Sequence, residues 1–148
     1  TRRMVAVTLG TCLSVGTNNA PFLVHSRVET DAVPISPHDS EYMALSRMAR
    51  SSVYFRQFGT ELGFPHEAPT PLATDSQTAI DLTVAPSVSK HSRHVLQHIH
   101  FLRELFQRKQ IIPCHQSTHD IVPNGLTKTL GPNAFFYFRH HLFHPFWA

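Results

Sequence analysis

Two acidic side chains stand where a carboxylate can hold a ligand. Glu41 lies near the start of a predicted helix, on the face that carries the apolar residues of that helix. An unpaired charge on a buried face costs free energy, so Glu41 indicates either a specific partner or the helix dipole, which also favours acids in a first turn. Asp75 lies where a short apolar strand passes into a helix, the edge at which open α/β sheets bind ligands; helix capping is the alternative. These two residues are the first candidates for a functional site.

Histidines form two groups that suggest a metal site. His91, His94 and His98 are spaced i, i+3 and i+7 on a predicted helix, and a second group lies within residues 140–144. Imidazoles at such spacing bind Zn²⁺. No HExxH pattern accompanies them, and Cys114 is the one soft ligand at hand. We therefore expect structural or surface roles for these histidines, with a zinc-binding protein as a distant alternative.

Arginine supplies most of the positive charge. The chain has 13 Lys and Arg residues against 10 Asp and Glu, a formal net charge of +3 with His neutral. Guanidinium groups make forked contacts with phosphate, whereas a solvated helix face explains such residues equally well. The candidate phosphate contacts are Arg47, Arg50, Arg56, Arg93, Arg103, Arg108 and Lys109.

The elements that must position these residues follow the order β-β-α-β-α-α-β-α. Strands at 8–16 and 21–26 form a hairpin, and a helix begins at Ser36-Pro37, with a cap and a proline suited to the first helical position. A strand and a helix follow Pro71, and Pro86 stops that helix. The remaining predicted elements are a helix from Val95 that ends in the polar residues 107–110, a strand at 111–115 that Pro113 suggests is at an edge, and a closing helix near 135–142.

The first helix has apolar or small residues at helical spacing up to Gly63, which ends it. The predicted inward positions are Leu45, Met48, Ser52, Phe55 and Leu62.

Composition bounds the class of protein. With 148 residues, 41% of them hydrophobic and 16% charged, the chain has enough apolar side chains for one folded domain and is not a disordered acidic or basic tail. No apolar run approaches the ~18 residues of a membrane helix, so we expect no membrane partner. The two cysteines have no CxxC spacing, which favours a reduced protein.

Six short segments resemble the ribonuclease H domains of copia-type (Ty1/copia) retrotransposon polyproteins. The helix start at 39–46 reads DSEYMALS, where that family has EAEYxAL. The other segments follow in the family's order, so the resemblance covers about residues 2–142. They are 8–12, 74–80, 93–95 with 100–104, 126–130, and the weak closing pattern of Phe135, Arg139 and Leu142.

The resemblance implies a ribonuclease H-like α/β fold, a mixed β-sheet flanked by helices, over residues 1–142, with 143–148 as an aromatic tail. It also implies cleavage of the RNA strand of RNA–DNA hybrids during reverse transcription, with Mg²⁺ (or Mn²⁺) held by four carboxylates. The implied partners are the hybrid and the reverse transcriptase and integrase regions of the same polyprotein. In this reading Arg47, Arg50, Arg93 and Arg103 contact nucleic acid.

The carboxylate set is incomplete. Glu41 and Asp75 match the family's glutamate and second aspartate and are the expected metal ligands, but Asn124 occupies the place of the last aspartate. Asp120 is a substitute only if the chain turns suitably around Pro123. The first aspartate belongs to a central strand that the family has before the position of Thr1, and we expect that strand to be lacking. The resemblance therefore predicts an impaired or inactive nuclease; the alternative is a non-catalytic remnant that binds nucleic acid or a protein partner.

Overall fold

The structure is a computed structural model that describes residues 7–15, 20–29, 37–85, 95–117 and 129–143. Two compact units make up the chain: Thr1–Val33 with Thr118–Ala148, and Pro34–Ser117. The order of elements is the predicted one. They are β1 Val7–Val15, β2 Ala20–Glu29, α1 Pro37–Glu61, β3 Thr70–Thr74, α2 Gln77–Val84, α3 Leu96–Gln107, β4 Ile111–His115 and α4 Pro132–Phe143.

The first unit contains the predicted hairpin. β1 and β2 pair antiparallel from Val7 opposite Glu29 to Val15 opposite Ala20, with an irregularity in register between Leu13 and Ser14. α4 begins at Pro132, a residue whose missing N–H is not needed in a first helical turn, and lies beside β2. β2 is longer than predicted, because its pairing with β1 continues through the polar residues that follow Val24.

The second unit is built around a parallel pair of short strands. β3 and β4 run parallel, with Leu72 opposite Pro113 at the centre of the register. Leu72 and Ile111 are fully buried and contribute to one apolar cluster. In the described part of the chain β4 pairs with β3 alone. Helices α2 and α3 supply the connection that parallel strands require.

The core of this second unit comes from every helix and strand in it. Its fully or nearly fully buried members are Tyr42, Leu45, Ala49, Leu72, Ala79, Val95, Ile99, Leu102, Leu105 and Ile111. Leu62 was predicted to face this core, but its side chain is 59% exposed, which is a correction. The contribution of α1 to the core ends at the partly buried Val53, so the helix extends beyond the residues that pack against it.

Both long helices of this unit end in the same hydrogen-bonded turn. After α1, Gly63 donates to the Thr60 carbonyl and Phe64 to the Gly59 carbonyl, with Gly63 at a φ of 86°. After α3, Lys109 and Gln110 make the equivalent bonds, and Lys109 has a φ of 55°. These are Schellman caps, one with the glycine that the left-handed conformation favours and one without it.

The expected single mixed sheet is not what the structure shows. Among the described residues the strands form two separate pairs, β1–β2 and β3–β4. The fold is therefore mixed α/β, with a small parallel pair and four helices. None of the described helices is long and apolar enough to cross a membrane.

Candidate functional site

Glu41 and the residue after Asp75 are joined by a hydrogen bond. Glu41 lies in the second turn of α1 and is half-buried, and its Oε2 accepts a hydrogen bond from the Ser76 hydroxyl. Pro37 starts the helix and Asp39, itself buried, supplies the acid of its first turn. Glu41 therefore has a specific hydrogen-bond partner in addition to its place near the positive end of the helix dipole.

Ser76 holds its position through the backbone of α2. Its Oγ accepts from the Ala79 amide at 3.2 Å, which makes Ser76 the N-cap of that helix, and its own amide donates to Thr74 Oγ1 at 3.2 Å. Because a hydroxyl has a single proton, that proton is directed to Glu41. Asp75 was given helix capping as its alternative role, and that alternative is wrong because Ser76 caps α2. Asp75 is exposed at the end of β3.

Tyr42 forms a second link between α1 and α2. Its side chain is only 2% exposed, and its hydroxyl donates to the Thr78 carbonyl at 3.0 Å. Burial, followed by the negative charges of Glu41, Asp39 and Asp81, raises the pKa of Tyr42 to about 12. The phenol therefore remains a neutral donor, and its raised pKa records an acidic environment around the start of α1.

The candidate phosphate contacts occupy different surroundings. Arg50 is exposed, with its guanidinium 5.4 Å from the centre of the Phe101 ring, and Arg47 is half-buried. Arg103 is half-buried and donates from Nε to the Leu82 carbonyl at 2.8 Å, near the C-terminus of α2. Arg93 lies outside the described residues. Arg50 is therefore the member of the set presented most openly.

Arg56 is engaged by the chain that follows its own helix. It donates to the carbonyls of Ala68 at 2.7 Å and His66 at 2.6 Å and to Thr70 Oγ1 at 3.0 Å. These bonds fix the segment between α1 and β3. Arg56 also lines a groove of about 290 Å³ together with Val53, Gln57, Thr60, His66 and Gln110. Its guanidinium acts as a structural tie.

The histidines do not assemble into a metal centre in the part of the chain that is described. His98 Nδ1 lies 3.0 Å from Ser46 Oγ, whereas His91, His94 and the last part of the 140–144 group fall outside the described side chains. Burial raises the pKa of the Cys114 thiol, which disfavours the thiolate that zinc requires. No group of three or more His, Cys, Asp or Glu suited to a metal ion occurs among these residues.

Sequence reasoning singled out Glu41 and Asp75, which stay predicted site residues, but missed the contacts that link α1 to α2 beside Glu41. Ser76 carried a local signal, a serine three residues before a helical alanine at a predicted helix start. Tyr42 carried none, because its partner is 36 residues away and is set by the packing of α1 against α2. Asn124 and Asp120 lie outside the described residues.

Curated proteins with significant similarity are transposon polyproteins. Over 103 residues the chain is 27% identical to the retrovirus-related Pol polyprotein from transposon TNT 1-94 of Nicotiana tabacum, a match covering 70% of this chain and 8% of the relative. The corresponding polyproteins from transposons RE1 and RE2 of Arabidopsis thaliana are each 28% identical over 100 residues, or 68% of this chain and 7% of the relative. The chain thus spans less than a tenth of the length of these relatives.

No protein-family model and no solved structure matches the chain. The similarity nevertheless relates it to retrotransposon Pol polyproteins.

Proposed function

We propose that this chain is a ribonuclease H-like domain of a retrotransposon polyprotein that binds RNA–DNA hybrids and is impaired in cleaving them. The observation that supports this most strongly is the bond from Ser76 to Glu41, because it draws the carboxylate of α1 to the end of β3, where Asp75 lies. Convergence of carboxylates from separate elements is what a nuclease centre of this kind requires.

The metal that the resemblance implies does not fit the described residues by themselves. Mg²⁺ and Mn²⁺ prefer several oxygen ligands, and Glu41 and Asp75 supply two side chains, whereas no set of three is found among the described residues. Asn124, in place of the last aspartate, offers a neutral oxygen at best. We therefore assign no chemical step to a metal ion in this chain, and impairment follows from the shortage of ligands.

The strength of hybrid binding then depends on two opposing forces, the attraction of arginine for the phosphates and the repulsion of the phosphates by carboxylates. The backbone of a nucleic acid is held chiefly through its phosphates, and proteins recognise a hybrid by its shape rather than its sequence. Arg47, on the same helix as Glu41, and Arg103 of α3 provide the positive charge in this proposal. Without a cation, the Glu41 carboxylate repels a phosphate brought to this end of α1.

The test measures cleavage and binding of a labelled RNA–DNA hybrid by the 148-residue chain, with Mg²⁺, with Mn²⁺ and without divalent cations. We expect no cleavage from this chain or from Asn124→Asp, and binding that weakens as salt rises. Glu41→Gln, which removes one charge, is expected to bind the hybrid more tightly in the absence of divalent cations. Its matched control is Glu67→Gln, which removes a charge from the exposed loop before β3.

Two results would overturn this assignment. Cleavage by the chain that persists in Glu67→Gln and disappears in Glu41→Gln would show a working nuclease centre. Absence of hybrid binding at low salt, with circular dichroism showing a folded chain, would remove the binding function.

The second candidate is a non-catalytic remnant whose partner is a protein. The specific observation in its favour is the large exposed aromatic surface at the far end of α1. It predicts that the chain associates with protein and binds no hybrid.

A further inference from the structure

The second half of α1 presents an apolar stripe to solvent. Tyr54 and Phe58 of the helix and Leu62, the first residue after it, follow one another at intervals of four residues, and they are 65%, 46% and 59% exposed. Phe64, just beyond the helix, is 78% exposed. The rings of Tyr54 and Phe58 are parallel, with centroids 6.5 Å apart. Large contiguous exposed apolar surfaces are uncommon on monomeric proteins and mark interaction sites.

Opposite charges lie at the two ends of this stripe. Arg50 precedes Tyr54 by one turn, and Glu61 lies beside Leu62; both side chains are exposed. Residues separated by three or four positions share a helix face, so the order along the stripe is cation, two aromatic rings, anion. The Gln57 amide donates to Glu61 at 3.2 Å and keeps that carboxylate close to the stripe.

We infer that the stripe is a homodimer interface, in which α1 of one chain packs antiparallel against α1 of a second copy. Rotation about a two-fold axis between Tyr54 and Phe58 sets Tyr54 against the partner subunit's Phe58 and Arg50 against the partner subunit's Glu61. A two-fold interface must be complementary to itself, and this stripe meets that condition in charge, with a cation at one end and an anion at the other. Each contact occurs twice, once on either side of the axis.

Hydrogen bonds hold the backbone around this stripe. Arg56 fixes the chain after α1 through its three hydrogen bonds, and the Phe64 amide donates to the Gly59 carbonyl at 2.8 Å. Little conformational entropy is then lost on association, which favours binding. The aromatic side chains of the stripe are not needed for the core, because the contribution of α1 to it ends at Val53.

The same stripe is poorly suited to nucleic acid. Glu61 repels phosphate, and the aliphatic Leu62 offers no ring on which a base could stack. A second copy satisfies the cation, the anion and the apolar centre together. For this reason we assign the stripe to a second copy rather than to the hybrid of the proposed function.

The test is the mass in solution of the 148-residue chain, measured by sedimentation over a range of concentrations. We expect a dimer, and we expect Phe58→Asp to weaken its dissociation constant by about tenfold or more, since aromatic residues at an interface centre carry much of the binding energy. The matched control is Phe136→Asp, which places the same charge on an exposed aromatic position of α4 and should leave the dimer intact. Circular dichroism checks that each variant remains folded.

A charge exchange tests the antiparallel arrangement. Arg50→Glu and Glu61→Arg should each weaken self-association, because like charges then face each other across the axis. An equimolar mixture of the two variants should restore dimers, since each mixed pair regains opposite charges on both sides. A chain that is monomeric at every concentration, or a dimer that survives Phe58→Asp, would overturn the inference. So would a monomer whose Phe58→Asp variant loses hybrid binding, because the stripe would then be a nucleic-acid surface.

Discussion

The two halves of α1 differ in what fixes them. In the first half, Tyr42, Leu45 and Ala49 are buried, and Glu41 and Tyr42 are tied to α2 by hydrogen bonds. In the second half, Tyr54 and Phe58 are exposed, and the ties are local, from Arg56 to the segment that follows the helix. Tertiary packing therefore positions the first half, while the second is held by its own neighbourhood and keeps a face available for binding.

The strongest test of this contrast truncates one leucine in the first half of α1 and one leucine directly after the second half. Leu45→Ala should lower the free energy of unfolding by about 2–5 kcal/mol, because it leaves a cavity in the core. Leu62→Ala should change it by less than about 0.5 kcal/mol, because that side chain is largely exposed. Urea denaturation of both variants measures the difference. Equal losses would mean that the second half is packed as firmly as the first.

Tyr42, in the first half of α1, makes the stability of the folded chain depend on pH. Its pKa is raised from 10.0 to about 12 in the folded chain, so above pH 10 the unfolded phenol ionises while the folded one stays neutral. The shift lowers stability as pH rises from about 10 to about 12, by about 2–3 kcal/mol at 1.36 kcal/mol for each pKa unit. Below pH 10 it has no effect, because both states are protonated.

The variant Tyr42→Phe should lose this part of the alkaline destabilisation, whereas Tyr54→Phe in the second half should retain it. Unfolding curves between pH 8 and 12 compare the two. An identical alkaline profile in Tyr42→Phe and the unsubstituted chain would contradict the buried, hydrogen-bonded position of Tyr42.

A smaller effect is expected at the junction of α1 and α2. Ser76→Ala removes the cap of α2 and the donor to Glu41, and should cost about 1 kcal/mol of stability. Ser76→Thr keeps the hydroxyl and should recover most of that loss. If Ser76→Ala and Ser76→Thr unfold at the same urea concentration, the cap contributes nothing and the junction is held by packing alone.

The smallest effects concern the cap that ends the second half of α1. Gly63→Ala should destabilise the chain by about 1 kcal/mol, because an alanine at a φ of 86° is strained. The equivalent position after α3 carries Lys109, so Lys109→Gly should stabilise by about 0.5 kcal/mol. Thermal unfolding of both variants checks the opposite signs, and a loss of stability in Lys109→Gly would show that its side chain makes a favourable contact.

Local patterns predicted the order of all eight elements, because proline, glycine and apolar spacing act within a few residues. They also singled out Glu41 and Asp75, whose role in a site stays a prediction. Leu62 was assigned to the core because periodicity indicates a face but not where along a helix the packing ends. The separation of the strands into two pairs depends on pairing between distant segments, which no local pattern contains. Tyr42 and Thr78 illustrate the same limit for a single contact, since only tertiary packing brings them together.

Chemical modification of Cys114 offers a way to follow the opening of the parallel strand pair. It lies opposite Ala73 in the register of β3 and β4, and burial holds its thiol in the protonated form. The thiolate is the nucleophile that reacts with alkylating reagents, so we expect the half-buried, protonated Cys114 to react slowly, and to react faster when β4 separates transiently from β3. The rate at which Cys114 is alkylated therefore measures how often this one strand pair opens locally while the rest of the chain stays folded.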